Sequence, residues 1–215
     1  MSLQLLEQYI TEGDVAALDN LLAQNPDLAI QTTSHNVSPL MLSCYYKKPE
    51  VSNVLLKYVG NLNLFEASAV GKFDVVAHLI FNHPDDVNHY AADGFTPLGL
   101  ACYFGQFEVA RYLVLKGGDV NLPSNNGYNV YPLHSAAAGN YTDIARMLVE
   151  AGAQVNVKQQ AGVTPLHSAA QKGNLALLIL LLEKGADVNA RMEGGKLPAD
   201  LASAKGYQEI AEILS

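Results

Sequence analysis

The chain has 215 residues, enough for one or two domains, and is 49% hydrophobic against 16% charged, which excludes disorder. Thirteen Lys and Arg against 21 Asp and Glu leave a net charge of −8, so nucleic acid and anionic membranes, which repel such a chain, are not expected as partners. Two cysteines, Cys44 and Cys102, cannot build a disulfide framework, and no apolar run reaches the ~18 residues of a membrane span. The opening MSLQLLEQYITEGD lacks the basic start of a secretory signal, so a reducing, cytoplasmic setting is expected.

In chain order, the first predicted helix runs through Leu5-Leu6-Glu7-Gln8-Tyr9-Ile10 and stops at Gly13. The next begins at Ser38-Pro39-Leu40. Leu64-Phe65-Glu66-Ala67-Ser68-Ala69-Val70-Gly71 is a helix-and-turn of the same kind without the proline. Thr96-Pro97-Leu98, Tyr131-Pro132-Leu133, Thr164-Pro165-Leu166 and Leu197-Pro198 open four more, with prolines 35, 33 and 33 residues apart. A small pair follows each of these four: Ala101-Cys102, Ala136-Ala137, Ala169-Ala170 and Ala202-Ser203. Then come a turn (Gly105, Gly139-Asn140, Gly173, Gly206) and a second apolar helical run, such as Leu175 to Leu182. Thr164 before Pro165 is an N-cap ahead of Pro at the first helical position, where the missing N–H costs nothing. Gly and Asn supply the left-handed conformation between helices.

Thr164-Pro165-Leu166-His167-Ser168-Ala169-Ala170 through Asp187-Val188-Asn189-Ala190 closely resembles the ankyrin repeat, with its 33-residue period and T-P-L-H-x-A start. The likeness covers nearly the whole chain. It implies an all-α ankyrin-repeat solenoid of stacked helix-turn-helix units with short hairpin fingers, each unit burying its apolar face against its neighbours. One domain, 1–215, is expected, with units at 1–33 (N-terminal cap), 34–60, 61–91, 92–125, 126–158, 159–191 and 192–215 (C-terminal cap). The likeness also implies that His134 and His167 hydrogen-bond between loops of adjacent units, and that Asn121, Asn156 and Asn189 bond the hairpin backbone or, in a suitable cell, are hydroxylated.

Two departures stand out. From Pro39 to the matching Asn63 is 24 residues, so one finger is missing where Val59-Gly60-Asn61-Leu62 leads into the next helix. That is either a deletion in a tolerant loop or a notch that admits part of a partner. The finger at Asn125-Asn126-Gly127-Tyr128-Asn129-Val130 has one extra residue, and Tyr131 stands where a capping Thr belongs.

Ankyrin proteins bind partners through a concave face of finger tips and first helices, and vary the two positions before the turn glycine. The resemblance therefore implies a protein-binding module, acting as adaptor, inhibitor or immunity-like regulator. The candidate partner-binding residues are Tyr45, Tyr46, Tyr90, Phe95, Tyr103, Phe104 and Tyr128 in units two to five, and Lys172, Lys196 and Lys205 in units six and seven. Exposed aromatics are typical anchors. The alternative is a structural scaffold with several weak contacts, in which the rings are packing.

No catalytic residues are expected. There is no G-x-S-x-G, and Glu193-Gly194-Gly195-Lys196-Leu197 lacks the residues of a P-loop. His83 and His89 flank Pro84-Asp85-Asp86 without a zinc spacing, so no metal and no cofactor are expected. Cys44 and Cys102 replace the second small residue of the helix pair and are expected to be buried. The expected partner is another protein, and the chain is expected to be a monomer.

Overall fold

The computed structural model describes residues 2–215. Among them the regular structure consists of fourteen α-helices and short 3-10 turns, with no strand. The helices pair in sequence: α1 (Ser2–Glu12) with α2 (Val15–Gln24), α3 (Pro39–Tyr45) with α4 (Pro49–Tyr58), α5 (Leu64–Val70) with α6 (Phe73–Asn82) and α7 (Pro97–Tyr103) with α8 (Phe107–Leu115). The remaining pairs are α9 (Pro132–Ala138) with α10 (Thr142–Glu150), α11 (Pro165–Lys172) with α12 (Leu175–Glu183), and α13 (Pro198–Ala204) with α14 (Gln208–Ile213). Each first helix packs on the first helix of the next pair, so the architecture is a linear stack.

The starts of the first helices follow from local chemistry. The Ser38 and Thr96 hydroxyls accept the amides of Met41 and Gly99. At α5, which has no proline, Asn63 Oδ1 accepts the Glu66 amide and Glu66 returns a carboxylate oxygen to the Asn63 amide, a reciprocal cap. Every turn inside a pair contains one left-handed residue: Gly13, Lys47, Gly71, Gly105, Asn140, Gly173 and Gly206. Lys47, at φ 54, is the one that has neither the freedom of Gly nor the tolerance of Asn.

Between pairs the chain makes fingers closed by backbone bonds, Thr33 N to Val37 O, Ala91 N to Phe95 O, Ser124 N to Val130 O, Gln159 N to Val163 O and Met192 N to Lys196 O. Two tips also join their neighbours, through Asn125 N to Gly94 O at 2.7 Å and Gln160 N to Tyr128 O at 2.8 Å. The link from α4 to α5, residues 59–63, forms no such finger.

The core divides at that place. Leu6 to Leu55 form one buried cluster within α1 to α4, and Leu64 to Leu214 form another through the remaining pairs. Asparagine side chains bridge consecutive pairs on the other side of the fingers. Asn121 Nδ2 donates to Gly152 O and its Oδ1 accepts the Gln154 amide; Asn88 and Asn156 repeat this with Gly117/Asp119 and Gly185/Asp187. Asn121 and Asn156 thus bond loop backbone, and the loop is that of the next repeat. His134 Nε2 reaches Val163 O at 2.9 Å and His167 Nε2 reaches Lys196 O at 3.3 Å, each in the following finger.

Candidate functional site

Four of the seven candidate rings meet on the face carried by the fingers and the last turns of the first helices. Tyr45 at the end of α3 lies 5.9 Å from Tyr103 and 5.3 Å from Phe104, centroid to centroid. Tyr103 and Phe104, at the end of α7, meet edge to face at 5.0 Å, and Phe95 in the finger lies 6.0 Å from Tyr103. These are the offset and edge-on arrangements aromatic rings prefer. Beneath them, Met41, Ala69 and Leu100 form a small buried cluster.

The rings differ in what they offer. Tyr103 is 37% exposed and Tyr46 43% exposed, so both present ring surface outward. Tyr45, Phe95 and Phe104 are half-buried and pack on the cluster below. The Tyr45 hydroxyl donates to Asp93 Oδ2 at 2.6 Å, across the place where a finger is missing. Burial first, and the Asp93 carboxylate second, push the phenol pKa far above its usual value, so Tyr45 stays a neutral donor. Tyr46 sits apart from the four, edge-on to His35 at 6.5 Å. Tyr90 also stands apart, its hydroxyl on Pro123 O at 3.1 Å. Tyr128, 58% exposed, lies at a finger tip beside Gln160 and Glu193.

The missing finger leaves an opening of about 430 Å³ between the first finger and the one at residues 91–95. Val37, Val59 and Phe65 give it apolar wall, and Glu66 and Asp93 lie at its edge. Below the aromatic cluster runs a larger open trough of about 680 Å³. Tyr103 and Phe104 form one wall, and Lys47, Lys48, Lys72 and Lys172 line it. Of the candidate lysines, Lys172 belongs to this trough, whereas Lys196 and Lys205 do not line it. Lys47, Lys48 and Lys72 were not singled out by the sequence pattern. Register could have found the first: Lys47 follows Pro39 by eight residues, as Gly105 follows Pro97 and Gly173 follows Pro165.

Cys44 corrects a further expectation. It is half-buried at the trough rather than buried like Cys102, because the turn at Lys47 opens beside it. Burial still raises the Cys44 thiol to about 11, which leaves it protonated at neutral pH. Among the described residues no group of three or more His, Cys, Asp and Glu is placed to hold a metal. No helix among them is long and apolar enough to cross a membrane.

A family model described as ankyrin repeats (3 copies) matches residues 64–159 and 133–215. Among curated proteins, the chain is 31% identical over 163 residues to a probable 26S proteasome regulatory subunit p28 of Saccharomyces cerevisiae, covering 74% of this chain and 60% of that one. It is 31% identical over 127 residues to alpha-latrocrustotoxin-Lt1a of Latrodectus tredecimguttatus, covering 55% of this chain and 9% of the toxin. It is 34% identical over 110 residues to a putative ankyrin repeat protein of Rickettsia felis, covering 48% of this chain and 46% of that protein. The chain thus spans 60% or less of the length of each of these relatives.

Proposed function

The chain belongs to the ankyrin-repeat family, and from that premise we propose that it binds a partner protein through its concave face, with the exposed rings of Tyr46 and Tyr103 as anchors. Ankyrin repeats generally mediate protein–protein interaction. The observation that carries the finer reading is the aromatic cluster: Tyr103 is held edge-on to Phe104 at 5.0 Å and against Tyr45 at 5.9 Å, yet remains 37% exposed. A ring fixed by its neighbours loses little freedom on binding, which is what an anchor needs. A similar protein is described as a proteasome regulatory subunit, which accords with a regulatory role here. Adaptor, inhibitor and immunity-like protection would all use this surface. The same reading places the chain in the cytoplasm as a monomer, with no catalysis, cofactor, nucleic acid or membrane assigned to it.

The test is capture from native lysate with cross-linking mass spectrometry. Wild type is compared with Tyr46→Ala/Tyr103→Ala, which spares the packed rings of Tyr45 and Phe104. Loss of the cross-linked partner in the folded double variant supports the reading. An unchanged partner, cross-linked at the same residues, refutes it. The scaffold alternative is favoured by one observation, the Tyr45–Asp93 bond, which gives part of the cluster a purely internal task.

A further inference from the structure

The lysine-lined trough carries more than the aromatic reading uses. The chain has a net charge of −8, yet this depression has four lysines in its walls and no Asp or Glu among its lining residues. Among the described residues, the lysine that pairs with a carboxylate is Lys57, with Asp19; none of the four does. Lys48 Nζ reaches the Glu12 carbonyl at 3.3 Å, and Lys47, Lys72 and Lys172 are exposed.

Folding alone does not account for this arrangement. A lysine near the C-terminal end of a helix gains only modestly from the helix dipole. Lys47 holds a left-handed backbone at φ 54, which strains a residue with a side chain. The cost exceeds the gain, and five of the other six turns use glycine there. A second observation lies in the lining itself. Ser135 is 2% exposed, and its hydroxyl oxygen has no hydrogen-bond partner.

We propose that this trough receives an extended carboxylate-rich segment of the partner protein. Its Asp or Glu side chains lie against Lys47, Lys72 and Lys172, and rotation of the Ser135 side chain brings its shielded hydroxyl to the segment, where it completes its hydrogen bonding. The placement of the lysines favours a chain over a compact anion. Lys47 and Lys172 belong to the second and sixth pairs, four helix-to-helix steps apart, or about 32–40 Å at 8–10 Å per step. One small anion cannot touch both, whereas roughly ten extended residues at about 3.3 Å each can. This inference rests on the concave-face reading and names the partner's chemistry.

The test is fluorescence anisotropy of a fluorescein-labelled deca-glutamate peptide at low ionic strength, beside deca-glutamine and deca-lysine peptides. Wild type is expected to bind deca-glutamate alone. Each of Lys47→Gln, Lys72→Gln and Lys172→Gln should weaken binding by about two- to fivefold, the range of an exposed ion pair, and the triple variant by about tenfold or more. Lys184→Gln, outside the trough, should leave it unchanged, and Ser135→Ala should weaken it without loss of stability. Circular dichroism confirms the fold of each variant. Equal binding by wild type and the triple variant, or no binding of deca-glutamate, overturns the proposal. So does displacement of the peptide by tripolyphosphate at equal charge, which would make the trough a free-anion site. Deca-glutamate failing to bind while Tyr46→Ala/Tyr103→Ala still loses the captured partner overturns the trough alone. Partner capture insensitive to both sets of variants overturns the concave-face reading as well.

Discussion

Acidification from pH 7 to pH 4 should destabilise the fold through His134, and the structure sets the size of the effect. His134 is 1% exposed. Its Nε2 lies 2.9 Å from the Val163 carbonyl, which can only accept, so Nε2 carries the hydrogen. Its Nδ1 makes no hydrogen bond in the neutral ring, and a second proton would place a charge in the buried interior. Burial lowers the pKa from 6.5 to about 4, against the Val163 and Val157 carbonyls, which favour the cation. Above pH 6.5 the ring is neutral in both folded and unfolded chains and contributes nothing. Between 6.5 and about 4 the unfolded chain takes up a proton that the folded chain refuses, so stability falls as pH falls; below about 4 the loss levels off. At 1.36 kcal/mol per pH unit the full loss is on the order of 3 kcal/mol. His167, lowered by burial, acts in the same direction. The assay is urea unfolding followed by circular dichroism at pH 7, 6, 5 and 4, comparing wild type with His134→Gln, which keeps a donor for Val163 but does not titrate. Between pH 7 and pH 4 wild type should lose about 3 kcal/mol more than the variant. Parallel losses in the two proteins would falsify the assignment of this acid sensitivity to His134.

Four further outcomes follow from particular residues. Tyr131→Thr should stabilise the fold by about 1 kcal/mol in urea titrations, by capping α9 and offering His134 Nδ1 a hydroxyl, as Thr164 does for His167 at 2.8 Å; a net loss would mean that the Tyr131 ring, 5.7 Å from His134, matters more as packing. Tyr45→Phe should cost about 1.5 kcal/mol, the low end for a hydrogen bond to a carboxylate, and a cost within error of zero removes the bond to Asp93 from the list of structural ties. Lys47→Gly should gain about 0.5–1 kcal/mol, the relief of left-handed strain less the extra freedom of glycine in the unfolded chain, whereas Lys47→Ala should gain nothing; identical unfolding midpoints for the two would show that backbone strain is not at work. Amide hydrogen exchange should find α1 to α4 opening at lower free energy than α7 to α12, because the core divides at residues 59–63; uniform protection across that boundary would refute the division.

The pairs of helices were legible because the same local chemistry recurs. Pro39, Pro97, Pro132, Pro165 and Pro198 each open a helix, and even α5, without proline, follows from the Leu64–Gly71 pattern. The missing finger was legible as a deficit of residues, and its 430 Å³ opening is where the count put it. What sequence left open was set by contacts between repeats. Seven candidate rings could not be sorted into the four that meet, the one beside His35, and Tyr90 and Tyr128, because ring direction depends on the neighbouring repeat. The trough was hidden for the same reason. Lys47, Lys72 and Lys172 lie up to 125 residues apart and share a wall because every one of them ends a first helix or its turn. Cys44 was misplaced because a consensus position fixes a backbone address, and the neighbour across the stack decides burial.

The missing finger also explains why one cluster serves two tasks. Two other pairs of adjacent tips are tied by backbone bonds, Asn125 N to Gly94 O and Gln160 N to Tyr128 O. Across residues 59–63 there is no intervening finger to carry such a bond, and the main core is split there. The Tyr45 hydroxyl reaches from the second pair to Asp93 of the finger beyond, and Met41, Ala69 and Leu100, one from each of three successive pairs, fill the space beneath. One ring of the aromatic cluster, Tyr45, therefore spans the break and packs against Tyr103 and Phe104 on its far side. An array that kept all its fingers would not need Tyr45 in this place. Tyr103 would then keep Phe104 and Phe95 but lose Tyr45, its ring neighbour from across the break. The same deletion that weakens the stack between its second and third pairs thus produces both an opening beside the fingers and a rigid aromatic surface next to it.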